Sequence, residues 1–118
     1  MGRVRQNFVK EVRQFANCPA DIVYWAHDPK AHQLAKDIKS AMDEAGWNIT
    51  FAPELRRLEG IRIVTRSHQL HAEEISSVVG FLRAAGFETK VRVRPELETE
   101  SVQIAIGAVP RAPQRRVS

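Results

Sequence analysis

Apolar residues recur along this chain with two different periods, and the switches between them divide it into elements. Val4, Phe8, Val12 and Phe15 stand at helical spacing among Lys and Arg, which predicts a short amphipathic helix over 4–15 that docks on the rest. "NCP" at 17–19 ends it, because proline has no amide proton to continue the ladder and restricts the residue before it. "DIVYWA" at 21–26, dense in β-branched and aromatic residues, reads as a largely buried strand with Tyr24 and Trp25 in the core. The helical period then returns. Asp28 is suited to cap a helix whose first position is Pro29, and Ala31, Leu34, Ala35, Ile38, Ala41, Met42 and Ala45 form one stripe four turns long. Gly46 supplies a left-handed stop before "WNITFA", a second strand.

The same order comes round again. "GIRIVT" at 60–65 alternates as a half-buried strand, and Ile75, Val78, Val79, Leu82 and Ala85 make a stripe within "HAEEISSVVGFLRAAG". Gly80 weakens that helix by about 1 kcal/mol relative to alanine. "FETKVRV" follows as a strand, and "SVQIAIG" at 101–107 as a fifth. At an offset of 40, Ile38, Met42, Ala45, Gly46 and Trp47 correspond to Val78, Leu82, Ala85, Gly86 and Phe87. The chain therefore reads as two β-α-β units with internal repetition. An N-terminal helix and linker occupy 1–19, an α/β domain 20–108 and an unstructured basic tail 109–118; Trp47 and Phe87 close the core at equivalent places.

Two packings of such units compete. In a doubly wound, Rossmann-like parallel sheet, the loops after the first and third strands would share a crevice. In a ferredoxin-like two-layer α/β plait with a fifth strand and an N-terminal helix, those loops lie at opposite ends. The connector "PELRRLE" at 53–59 is shorter than a parallel crossover needs. Arg62 opposes Ile61 and Ile63, and Lys90, Arg92 and Arg94 oppose Val91 and Val93, so one sheet face is apolar and the other polar. Both features favour the plait.

The helix "HDPKAHQLAKDIKSAMDEAGW", the strand "GIRIV" and the closing "PELETESVQIAIG" resemble two groups of bacterial domains. One is a set of uncharacterised α/β domains often found behind a transmembrane helix; the other, more distant, is the C-terminal domain of LytR-type cell-envelope proteins. The similarity covers about residues 8–110 and rests on packing positions. "AHDPKA" replaces the Asn-Gly-rich turn common after the first strand of LytR-type domains. The resemblance implies a plait and a non-catalytic accessory module, and it transfers no catalytic residue.

Composition narrows the function classes. The net charge of +4 sits at the ends: Arg3, Arg5, Arg111, Arg115 and Arg116 leave 13 basic against 14 acidic residues between 6 and 110. A nearly neutral body argues against a nucleic-acid partner. No apolar run is long enough to span a bilayer, and the start lacks the pattern of a signal peptide. Together with the lone Cys18, this points to a cytoplasmic chain, or to the soluble part of a membrane-tethered protein.

The histidines carry the most specific chemistry. His27, Asp28, His68 and His71 flank the starts of the two repeated helices and would form one anion or nucleotide pocket if their loops met. His68, His71 and Glu74 are spaced for a metal, yet no further fixed ligand accompanies them, so neither metal nor cofactor is expected. "DPKAH" has no glycine with which to wrap a phosphate. Arg62, Lys90, Arg92 and Arg94 share one sheet face and form the candidate interaction surface, without the aromatics of an RNA-binding sheet. Neither a nucleophile elbow nor a CxxC pair occurs. The expectation is a non-enzymatic module that binds another protein or a second copy. Anion binding at the helix-start loops and weak nucleic-acid binding at the basic face are the alternatives.

Overall fold

The computed structural model describes residues 2–15, 18–67, 72–96 and 101–108. Helix α1 (Gly2–Val12) runs into a 3-10 turn (Arg13–Phe15). Then come β1 (Pro19–Trp25), α2 (Pro29–Glu44), β2 (Asn48–Glu54), β3 (Ile61–Thr65), α3 (Ala72–Ala84), β4 (Thr89–Val93) and β5 (Val102–Ile106). The chain is thus mixed α/β, as the periodicity implies. The tail at 109–118 lies outside the described residues.

The five strands make one mixed sheet in the order β2-β1-β5-β3-β4. Within each β-α-β unit the two strands are adjacent and parallel, β1 with β2 and β3 with β4. β5 lies between the units, parallel to β1 and antiparallel to β3. β1 and β3 consequently run in opposite directions, as in the plait and unlike a doubly wound sheet. The strand order departs from the ferredoxin-like one: that sheet interleaves the strands of its two units, whereas here each unit keeps its strands together and β5 joins them. Val102, Ile104 and Ile106 of β5 are all fully buried, as befits the central strand.

One sheet face carries the core. Ala20 and Ile22 of β1, Ile61 and Ile63 of β3, and Val102, Ile104 and Ile106 of β5 are buried in a single cluster with Leu34, Ile38 and Met42 of α2 and Ile75, Val78 and Leu82 of α3. Asp28 caps α2 through a 3.0 Å bond from the Lys30 N–H to its carboxylate. Both long helices end in the same way. The N–H groups of Gly46 and Trp47 reach back to Asp43 and Met42, and those of Gly86 and Phe87 to Arg83 and Leu82, with φ at 91° and 95° at the two glycines.

α1 fills the space between α2 and α3, packing on both. Its Phe8, Val9 and Val12 are buried, and Phe8 stacks on Phe81 with ring centroids 4.1 Å apart. Phe81 lies off the α3 stripe that faces the sheet, because it points at α1 instead. The Trp47 indole N–H donates to the Val12 carbonyl at 2.9 Å, satisfying one of the acceptors that a helix end leaves without a partner.

The connector between β2 and β3 crosses the ends of β1 and β5, and it is held there by backbone. Ala108 N–H donates to Leu58 C=O, Gly60 N–H to Ala108 C=O and Gly107 N–H to Gly60 C=O, at 2.8–2.9 Å. A Cβ on Gly107 would fall inside the van der Waals shell of the Leu58 carbonyl, so only glycine admits this crossing.

Two stability outcomes follow. Gly107→Ala forces the connector off the end of β5 and is expected to cost at least 1–3 kcal/mol, roughly the penalty of overpacking, measured by urea denaturation. Trp47→Phe keeps the apolar bulk but strands the Val12 carbonyl. A loss of about 1–3 kcal/mol, with faster amide exchange in α1, is the expected result.

Candidate functional site: an arginine-lined groove on the open sheet face

The sheet face opposite the helices is built of side chains in rows set by the strand register. One row reads Ala52, Val23, Ala105, Arg62 and Lys90 across β2, β1, β5, β3 and β4. The next reads Thr50, Asp21, Gln103, Val64 and Arg92. In the first row small residues on β2, β1 and β5 stand beside long cationic ones on β3 and β4, which makes a step in the surface. The connector raises a second wall with Arg56, Arg57, Leu58 and Glu59. Between the walls is an open groove of about 450 Å³ floored by Val23, Val64, Ala105 and Gln103, with Glu54, Arg62, Arg92 and Arg94 along its sides.

Five arginines and two glutamates therefore line one groove in a body of nearly balanced charge. Their pairing is uneven. Arg57 bonds to Glu59 at 3.2 Å and lies over the Trp25 ring, 4.7 Å from its centroid, so it is held in place. Glu54 accepts the Arg56 backbone N–H at 3.2 Å. Arg94 and Glu96 approach only to 4.0 Å, and both are more than half exposed, a pairing that contributes little. The guanidinium groups of Arg56, Arg62 and Arg92 make no ion pair among the described residues. All the groove cations are arginine, although the chain has five lysines. Guanidinium is planar and pairs two-toothed with carboxylate or phosphate oxygens, so the lining suits oxyanions in particular.

Arg62, Arg92 and Arg94 are thus brought together as the alternation indicates, with Lys90 next to Arg62 in the same row just outside the groove. Arg56 and Arg57 were legible as an adjacent pair in "PELRRLE", yet nothing local says which way a connector folds. Trp25 is corrected. It is not part of the core cluster, because it shares the parity of Asp21 and Val23 and so emerges on the open face beneath Arg57. Tyr24 does pack against the core, and it stacks on His32 of α2 at 4.6 Å and 7°.

The helix-start loops are arranged differently. His27 is exposed, edge-on to Trp25 with centroids 6.4 Å apart, and Asp28 is engaged as the cap of α2. Because β1 and β3 point opposite ways, the loop holding His27 and Asp28 and the described start of the loop after β3, Arg66 and Ser67, leave the sheet at opposite ends. His68 and His71 lie outside the described residues. Among the described residues no group of three or more His, Cys, Asp or Glu side chains is placed to hold a metal. No helix among them is long and apolar enough to cross a membrane.

Comparison of the chain with protein-family models, with curated proteins and with solved structures returned no match.

Cys18 is a poor nucleophile. Burial, then the charge of Glu74 and a 3.8 Å hydrogen bond from the thiol to its carboxylate, push the thiol from 9.0 up to about 11. At pH 8 the thiolate fraction is then roughly a hundredth of that of an unperturbed cysteine. Iodoacetamide should alkylate the folded chain about that much more slowly than the denatured one, with the rate still climbing between pH 9 and 11 and a partial recovery in Glu74→Gln.

Proposed function

We propose that this chain is a non-enzymatic binding module whose partner docks on the open face of the sheet, where the groove arginines take acidic side chains of another protein. The observation that carries this reading is the convergence of Arg56, Arg62 and Arg92, none ion-paired among the described residues, on one groove floored by Val23, Val64, Ala105 and Gln103. Such a lining leaves strong donors aimed at one place, and a carboxylate-bearing partner satisfies them while covering the half-buried Val23 and Ala105. Leu55 adds to it. At 74% exposure it is the one large hydrophobic residue so exposed among the described residues, and it stands on the same connector as the arginine wall. An exposed leucine beside unpaired arginines suits a protein surface better than a bare anion.

The resemblance to bacterial accessory domains supports the same role, in the cytoplasm or tethered beside a membrane. Nucleic acid is the second reading. It has the arginines and Trp25 in its favour, but one face of that ring is covered by Arg57, and the groove carries Glu54 and Glu59, which repel a phosphate backbone.

Titrating the isotope-labelled chain with a hexaglutamate peptide tests the reading. Amide shifts should concentrate on Val23, Arg62, Val64, Gln103 and Ala105, and Arg62→Glu combined with Arg92→Glu should weaken binding by roughly tenfold or more. Shifts confined to the helical face or the chain ends, or unchanged affinity in the double variant, would sink it. A single-stranded oligonucleotide that binds tighter than the peptide, with steep salt dependence, would hand the site to the second reading.

A further inference from the structure

We infer that the outer edge of β4 accepts an added strand from the partner, and that the strand recognised alternates acidic and apolar residues. This rests on the acidic partner proposed for the groove and gives that partner a backbone conformation and a register. β4 ends the sheet, and among the described residues no strand pairs with its outer side.

The parity of that edge is fixed. The Arg94 N–H donates to Thr65 C=O at 2.8 Å, so Arg94, Arg92 and Lys90 turn their backbone groups inward to β3. Alternation then turns the N–H and C=O of Val91 and Val93 outward, where they offer a ladder to another chain. The side chains alternate too. Lys90, Arg92 and Arg94 are exposed on the groove face, whereas Val91 and Val93 are half-buried toward the helices. A strand laid along β4 places every second residue within about 4.5–5.5 Å of this cationic row, and the intervening ones beside the valines. Acidic and apolar residues in alternation are what those two rows select.

A row of cations on an exposed edge ordinarily keeps other strands away. Here it also says which strand is excluded and which admitted. A second copy of β4 would set Lys90 and Arg92 against their own kind, so the edge rejects self-pairing, while an acidic strand turns the same repulsion into attraction. The other edge, β2, has no such row: Asn48, Thr50 and Ala52 occupy its open face, and Pro53 has no N–H to give.

The test compares two peptides of equal composition, one with glutamate and valine alternating and one with three glutamates followed by three valines. The alternating peptide should bind about tenfold tighter and slow exchange of the Val91 and Val93 amides by a similar factor. Val93→Pro, which removes an outward N–H at a residue outside the core cluster, should abolish that preference with the melting temperature retained. Should that variant misfold, Lys90→Glu with Arg92→Glu should move the preference to an alternating lysine and valine peptide. Equal binding of the two glutamate peptides with unchanged Val91 and Val93 exchange overturns the edge pairing, and the groove reading stands if Arg62→Glu with Arg92→Glu still weakens both. Failure of both glutamate peptides to bind overturns both readings.

Discussion

A strand-helix-strand crossover between parallel strands is right-handed, and this handedness governs the molecule once both long helices share one face of the sheet. Seen from the helices, a unit whose strands point up must step to the right, and a unit whose strands point down must step to the left. Two units that grow outward to opposite edges therefore have to run in opposite directions. The observed order, with β2 and β4 at the edges and β1 antiparallel in direction to β3, satisfies that condition. β5 then fills the middle, where it can lie parallel to one unit and antiparallel to the other. Everything functional follows from this: the helix-start loops separate to opposite ends, and the uncovered face becomes the continuous surface of the molecule.

The leftover face owes its shape to a short connector. A segment of six residues has to pass from the edge strand β2 to β3 across the ends of β1 and β5, which leaves it little slack. Backbone bonds to Gly107 and Ala108 pin it, and in doing so they fix where Arg56 and Arg57 stand. Arg57 is clamped further by Glu59 and the Trp25 ring. The groove thus has one wall on strands and one on a stapled loop, which is the arrangement that gives a binding site defined geometry without a helix behind it.

Much of this was legible in the chain. The helical and alternating periods placed the three α-helices and five strands found among the described residues, and Asp28, Pro29 and Gly46 marked the ends of α2 because capping is a local affair. The cationic row of Arg62, Lys90 and Arg92 was legible for the same reason, since parity along a strand is local. What escaped was decided at long range. Periodicity carries no information on which strand neighbours which, so the insertion of β5 was hidden, and so was the meeting of Arg56 and Arg57 with strands that follow them in sequence. Trp25 escaped for another reason. A run such as "DIVYWA" suggests burial on both faces, but the sheet has only one covered face, and half of the run had to emerge. Phe81 shows the converse: it falls outside the α3 stripe because α1 gives that helix a second apolar neighbour.

The near-neutral body and the five-arginine groove are compatible because charge is segregated rather than absent. Apart from Glu54 and Glu59 in the groove and Asp21 on the same face, acidic residues stand on the helices: Asp37, Asp43 and Glu44 on α2, and Glu73 and Glu74 at the start of α3. Glu73 and Glu74 sit where a helix dipole favours them, and Asp43 is bonded to Lys39 one turn away. Asp37 accepts from Gln33 of its own helix, and Glu74 from the Cys18 thiol. The guanidiniums of Arg56, Arg62 and Arg92 make no ion pair among the described residues, and they share the side of the sheet opposite the helices. Over residues 6–110 the two populations nearly cancel, at 13 basic against 14 acidic residues. The division into a helix-covered face and a bare one, imposed by crossover handedness, sets these guanidiniums apart from the carboxylates of the helices.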